Sequence, residues 1–193
     1  MYSESRTKGT HAETAAGQGT KRMLDDEGRA IGGTARITVS VAIVVGYFLL
    51  ALVGLGLSRS YGEIAALWPA TAFAVVTLWR TPDLPKAMIL AGVGVAGGGA
   101  ATLFGTAPLA ALALGMADIL EVAVGLGGVV WLGERRIDRS IAVFLGALTI
   151  VGGIAPIAGA TAGAAAIHWF VGADFRSVWT TWWVGNALGA ALV

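Results

Sequence analysis

The chain has 193 residues, of which 56% are hydrophobic and only 13% are charged. A soluble domain carries about 25% charged residues, so the composition excludes an ordinary soluble protein and predicts an integral membrane protein. The net charge of +1 and the lack of a basic patch argue against nucleic-acid binding, and the absence of cysteine excludes disulfides and thiolate chemistry.

Residues 1–36 are polar, and their composition predicts a disordered cytoplasmic tail. Residues 37–193 form the predicted membrane-embedded domain, in which apolar runs of roughly membrane-spanning length alternate with short polar gaps. The six runs cover residues 37–57, 62–79, 87–104, 109–132, 141–167 and 177–193. The predicted fold class is therefore all-α, a polytopic transmembrane helical bundle of about six spans. The last run stops without a polar flank, so we expect it to be truncated.

Two features indicate how these helices bend and pack. Pro69 in the second run and Pro156 in the fifth each remove a backbone hydrogen bond, which predicts a kink at both places. Small residues four apart, at Gly94–Gly98 and Gly159–Gly163, allow the backbones of neighbouring helices to approach closely.

The distribution of positive charge predicts the orientation. Eleven of the 13 lysine and arginine residues lie on the side of the membrane that holds the N-terminus, and Arg59 and Arg176 lie on the other side. Positive charge stays cytoplasmic. We therefore expect a multi-pass protein of the cell membrane with its N-terminus in the cytoplasm.

The fourth run carries the sharpest functional signal, because Asp118 and Glu121 lie near its middle on one helical face. A charged carboxylate at that depth costs about 2.5–3.5 kcal/mol. The two acids must therefore face protein or a water-filled cavity. They form either a ligand, ion or proton site, or an interhelical hydrogen bond that holds the bundle together.

Asn186 lies at a similar depth in the sixth run, so it is a candidate partner for Glu121. It forms either a shared site with the acid or only a hydrogen bond between helices, of about 0.6 kcal/mol. Trp179, Trp182 and Trp183 lie near one end of that run, where an aromatic belt at the membrane interface is the simpler interpretation.

Trp68 is less easily assigned to a belt, because it stands next to Pro69 inside its run. We interpret Trp68 and Trp183 as walls of a ligand-binding site formed by Glu121, Asp118 and Asn186. His168 ends the fifth run and is either a titrating sensor or a structural residue. No spacing of histidines and carboxylates predicts a metal site, and the sequence indicates neither a cofactor nor catalysis.

Three ordered motifs resemble those of a known bacterial family. Residues 67–69, Leu-Trp-Pro, precede an apolar helix that ends in Arg80. Residues 118–121 resemble an Asn-x-x-Glu element, and residues 182–189 resemble the element Trp-Trp-x-Gly-Asp-x-Leu-Gly. Over residues 37–193 the chain thus resembles the membrane-associated sensor domains of the first type, in the MASE group. It departs from the pattern at Ala70, Asp118 and Asn186, which stand where that family often has proline, asparagine and an acid, respectively.

The resemblance implies a sensory input domain of a bacterial signal-transduction protein. Such domains have eight or more helices and precede a cytoplasmic histidine kinase, diguanylate cyclase or phosphatase, so this chain would hold the first six helices. The implied partners are the lipid bilayer, an unknown small ligand or ion and an output domain in cis, with a second copy of the chain as a further candidate. The alternatives are a fragment of a small-molecule or ion transporter, and a membrane anchor whose acids only join helices.

Overall fold

A computed structural model describes residues 32–57, 67–134 and 141–193. Within these ranges all regular structure is helical, which confirms the predicted all-α bundle. The helices, numbered in chain order, are α1 Gly32–Leu57, α2 Pro69–Arg80, α3 Lys86–Leu103, α4 Pro108–Glu134, α5 Ile141–Thr149, α6 Ala155–Val171 and α7 Phe175–Ala190. A π-helical segment, Ile150–Ile154, joins α5 to α6.

Four stretches in the described part of the chain are long and apolar enough to cross a membrane. They are Gly32–Leu57, Lys86–Leu103, Pro108–Gly133 and Ile141–Val171. The other two predicted runs correspond to α2, with 12 residues, and α7, with 16 residues. The first part of the second run, residues 62–66, lies outside the described residues, as does most of the predicted tail.

The chain divides into two compact units, Met1–Val39 and Ser40–Val193. In the described part of the first unit, residues 32–39 are the exposed first turns of α1, where the hydroxyl of Thr38 donates to the carbonyl of Thr34. The helix thus begins before residue 37. The predicted division into a tail and an embedded domain stays a prediction.

In the second unit, α1 has an apolar face toward the bundle and another away from it. Residues on the inner face are buried and those on the outer face, spaced four apart, are exposed. The inner set is Ile43, Tyr47 and Ala51, and the outer set is Val41, Val45, Leu49 and Val53. Because apolar side chains on a membrane protein face lipid tails, the exposed set is expected to contact the bilayer.

Close backbone packing joins α3 to α4, as the glycine spacing predicts. A methyl group on Gly98 would lie 2.8 Å from the carbonyl oxygen of Ala111, nearer than a real side chain comes. Gly94 and Gly115 face each other in the same way one turn along. The pair is held by backbone-to-backbone contact, as is common between membrane helices.

The predicted kink at Pro69 is wrong, because the helix begins there. Trp68 has φ −121° and ψ 75°, outside the helical region, and Pro69 is the first residue of α2. A residue before proline disfavours the α conformation, and proline at the first helical position loses no hydrogen bond. Near Pro156 the backbone hydrogen-bonding pattern changes, because the π segment ends at Ile154, directly before α6 begins. The kink predicted there stays a prediction.

Candidate functional site

The segment Leu67–Pro69 is docked on α7. The backbone N–H of Trp68 donates to the carbonyl of Gly185 at 3.0 Å. A methyl group on Gly189 would overlap the backbone of Trp68 and Pro69. The two glycines, four apart on α7, thus give the non-helical entry to α2 a flat surface and one hydrogen bond. This contact brings two of the three sequence motifs together.

Glu121 joins the third motif, on α4, to the same helix. It is fully buried, and the indole N–H of Trp182 donates to its Oε2 at 2.8 Å. Gly159 and Gly163 on α6 provide the space, because side chains there would collide with Glu121 and with the Trp182 ring, respectively. The close neighbours of these glycines are thus an acid and an indole, and not the backbone of another helix as the spacing predicted.

Asp118 lies one turn earlier on α4 and is only 3% exposed. Its carboxyl group packs against Gly97 on α3, where a methyl group would overlap it. The hydroxyl of Tyr47, from the inner face of α1, lies beside the Asp118 carboxyl and the Trp68 indole, without a hydrogen bond of standard geometry. Two other helices, α1 and α3, thus contribute to the surroundings of this acid, and Trp68 lies next to the Tyr47 hydroxyl.

Asn186 is 4% exposed and does not bond to Glu121, contrary to the sequence-based expectation. Its amide Nδ2 donates to the backbone carbonyl of Trp182 at 3.2 Å. The donor to Glu121 is the Trp182 indole, because that side chain starts one turn before Asn186 and reaches across to α4. The side-chain oxygen of Asn186 is left without a donor.

A cavity of about 540 Å³ opens between these elements. Small-molecule sites have volumes of roughly 300–1,000 Å³, so it is of the right size for one. Its polar inner lining is Asp118 and Asn186, with the rings of Trp68 and Trp182. Asp174, Ser177, Val178 and Thr181 line it where α7 begins. We call this space the site cavity.

Of the six buried polar side-chain atoms without hydrogen bonds in the described part of the chain, three belong to residues that line the site cavity, Trp68, Asp118 and Asn186. Native proteins pair the large majority of such atoms, so a cluster of exceptions in one place indicates a polar partner that the fold leaves room for. In the described part of the chain the atoms are the Tyr47 hydroxyl, Trp68 Nε1, Thr71 Oγ1, Asp118 Oδ1, Glu121 Oε1 and Asn186 Oδ1.

The two acids therefore have different surroundings. Glu121 has an interhelical hydrogen bond, which is what the structural interpretation of this residue predicts, and it lies behind Trp182. Asp118 lines the site cavity with one oxygen unpaired. A carboxylate accepts up to about four hydrogen bonds, so both groups are under-satisfied by the described residues.

Trp183 does not line the site cavity. Its indole N–H donates to the carbonyl of Gly153 at 3.0 Å, inside the π segment, and its ring stacks on Trp179 with centroids 6.2 Å apart. Trp179 in turn donates to the hydroxyl of Thr161 on α6. Trp183 thus fastens α7 to the π segment, and of the predicted tryptophan walls only Trp68 lies at the cavity.

His168 closes the turn between α6 and α7. Its ring nitrogen Nδ1 bonds to the carbonyl of Ala173 at 2.8 Å, and the residue is exposed. The described residues contain no group of three or more His, Cys, Asp and Glu side chains that could hold a metal ion. The turn places Asp174 at the start of α7, where its carboxylate accepts from the N–H of Ser177 at 2.8 Å.

The convergence of the three motifs agrees with the result of comparing the chain with known protein families. The MASE1 family model matches residues 39–193. The chain belongs to the MASE1 family. MASE1 domains are membrane sensory input domains of signalling proteins and not catalytic domains. The chain is therefore a sensory domain located in a membrane, and the suspected resemblance is confirmed. No curated protein and no solved structure shows significant similarity to it.

Two residues of the site carry no clear signal in the sequence, and a third, Trp182, is part of a recognised motif but has no predicted contact. Tyr47 and Thr71 lie in apolar runs, where single hydroxyl groups are common, and Thr71 is placed beside the Glu121 carboxyl. Trp182 was assigned to an interfacial belt. Its spacing was the available signal, because it stands four residues before Asn186 and so shares a helical face with it.

Proposed function

We propose that the chain is the sensory input domain of a bacterial signalling protein in the cell membrane. It binds a small molecule or ion in the site cavity and controls a cytoplasmic output domain in cis, of the histidine kinase, diguanylate cyclase or phosphatase type. The observation that carries this proposal is that the three motifs converge on one cavity edged by unpaired polar atoms. Asp118, Asn186 and Trp68 are the contact residues in this proposal.

The unpaired atoms supply the affinity. A buried polar group without a partner costs about 1–3 kcal/mol. A ligand that pairs the free oxygens of Asp118 and Asn186 recovers part of that cost. The proposal therefore assigns ligand contact to these two residues. Glu121 holds Trp182 in place from behind.

Helix α7 is the element that reports occupancy. It carries Asn186 at the site cavity, Trp182 bonded to α4, and Trp183 bonded to the π segment. A ligand can shift an equilibrium between two packings of this helix only if it binds them with different affinity. Contact with Asn186 in one packing supplies that difference, and the glycine surface under Trp68 permits the helix to move.

The ligand enters where α7 begins. Asp174, Ser177 and Thr181 line the site cavity at that end, and Asp174 is exposed. With the N-terminus in the cytoplasm, as the positive-charge distribution favours, this end of the bundle faces outward. The domain therefore detects a compound on the external side of the membrane.

The test measures the output activity of the signalling protein that carries this domain, as a function of stimulus. Asp118→Asn removes the charge and keeps the shape, and Trp182→Phe removes the donor to Glu121. We expect Asp118→Asn to raise the stimulus needed for half-maximal response at least tenfold. Trp182→Phe should change the unstimulated output, because it frees α7 from α4.

The matched control is Asp83→Asn, an exposed acid in the turn between α2 and α3, which should leave output and response unchanged. Equal amounts of each variant in the membrane are verified first. The proposal fails if Asp118→Asn and Trp182→Phe both behave like Asp83→Asn. Accumulation of the stimulus compound inside vesicles that contain the protein would instead support the transporter alternative.

A further inference from the structure

The ionisable groups that line the site cavity are all of one kind. Among the described residues that line it there are two acids, Asp118 and Asp174, and no lysine, arginine or histidine. Asp118 is almost fully buried, and Asp174 is exposed at the mouth. A cleft lined by one sign of charge in low-dielectric walls concentrates the opposite sign. This lining favours a cation over an anion.

The helix N-terminus at the site cavity, which could attract an anion, is already occupied. The N-terminus of α7 carries a partial positive charge from its backbone N–H groups. The carboxylate of Asp174 caps that end by accepting from the N–H of Ser177. The helix end is thus compensated within the chain.

The unpaired atoms and the walls indicate what kind of cation fits. Asp118 Oδ1 and Asn186 Oδ1 are hydrogen-bond acceptors, so they match a ligand with N–H donors. Indole rings attract cations more strongly than other aromatic side chains, and both Trp68 and Trp182 line the space. Most of the remaining lining is apolar or small. A divalent metal ion is disfavoured, because the described residues hold no group of three or more His, Cys, Asp and Glu side chains that could bind one.

We propose that the site cavity binds an organic cation, with an ammonium group donating to Asp118 and Asn186 and an apolar body packed against Trp68 and Trp182. This assignment rests on the proposed sensory function and names the chemical class of its ligand. The volume of about 540 Å³ accommodates an amine of metabolite size.

The test uses the absence of cysteine from the chain. Two single-cysteine proteins, Thr181→Cys in the site cavity and Ala107→Cys in the exposed turn between α3 and α4, are reconstituted in lipid nanodiscs. Each is modified with a cationic reagent, trimethylammonium-ethyl methanethiosulfonate, and with its anionic counterpart, sulfonatoethyl methanethiosulfonate. We expect the ratio of cationic to anionic rates to be at least tenfold higher for Thr181→Cys than for Ala107→Cys.

Adding Asp118→Asn to the Thr181→Cys protein should lower its ratio to that of Ala107→Cys. Protection supplies a measurement that needs no change in the acid: 2-phenylethylamine should slow modification of Thr181→Cys at concentrations at least tenfold lower than its neutral counterpart 2-phenylethanol. These probes differ only in the ammonium and hydroxyl groups.

Equal rate ratios at the two positions would overturn the assignment of an organic cation. Equal protection by the amine and the alcohol would overturn it as well. This result decides the question even if the Asp118→Asn protein fails to fold, because the protection experiment leaves Asp118 unchanged. These readouts involve no output domain. If the modification rates show no preference for the cationic reagent, the sensory function is still decided by the response assay. If the preference is found but the variants in the response assay behave like the control, only the sensory function is overturned.

Discussion

Each buried acid of α4 lies against a glycine on a neighbouring helix, where any side chain would fill the same space. Asp118 packs against Gly97 on α3, and Glu121 packs against Gly159 on α6. Burying a carboxyl group between helices costs free energy unless polar partners are near. The glycines let Tyr47, Trp182 and the glycine backbone approach the two carboxyl groups closely enough to act as their polar partners. The high glycine content thus has a local purpose at the site in addition to general helix packing.

The pairing of acids with glycines predicts the effect of one added methyl group. Gly159→Ala would force the Glu121 carboxyl away from Trp182, and overpacking of this kind costs about 1–3 kcal/mol. We expect a lower thermal unfolding temperature for the detergent-solubilised protein. The control is Gly127→Ala on α4, where nothing lies within 4 Å. Better helix propensity should make it neutral or stabilising by up to about 1 kcal/mol. Equal effects of the two variants would contradict the packing described for Glu121.

The sequence was sufficient to predict that Asp118 and Asn186 are buried in protein, because the cost of a polar group in lipid restricts where each can face. It was not sufficient to distinguish Trp182 from Trp183. Adjacent residues on a helix differ by about 100° in direction, so one faces Glu121 and the other Gly153. Which one does so depends on the rotation of α7, and an apolar helix in lipid has little pattern to set it.

At the scale of the elements, proline acts in two different ways. Pro69 starts α2, and the freed entry segment is held by Gly185 on α7. Pro156 follows a π-helical segment whose Gly153 carbonyl accepts from Trp183. Such π segments are frequent at functional sites. The sequence predicts that proline interrupts the helix, but the form of the interruption depends on a hydrogen-bond partner that another helix supplies.

The bond from Trp183 predicts a local change in helix stability. Trp183→Phe removes the donor to Gly153 and keeps an aromatic ring. A hydrogen bond contributes about 1 kcal/mol, so amide hydrogen exchange in residues 150–157 should become roughly fivefold faster. Trp179→Phe is the control, because its donor reaches only the Thr161 side chain on the helix surface. Unchanged exchange in Trp183→Phe would mean that this bond does not hold the π segment.

At the scale of the whole molecule, the bilayer makes the fold class predictable. Every backbone polar group in lipid must be bonded internally, so long apolar runs can only be helices. Composition and run length therefore gave the all-α bundle and its order of helices. The choice of neighbours was not predictable, because helices that are apolar all round carry no directional pattern. The contacts of α4 with α3, α6 and α7 depend instead on single glycines and polar residues.

The proposed function requires that occupancy of the site cavity, from outside the cell, sets the signalling state. It is tested most directly by recording output from cells that carry Thr181→Cys, before and after treatment with a membrane-impermeant maleimide, with Ala107→Cys as the control. We expect both cysteines to be labelled from outside. Labelling of Thr181→Cys should fix the output and abolish its response to stimulus, and labelling of Ala107→Cys should not. Complete labelling of Thr181→Cys with an unchanged response would contradict it.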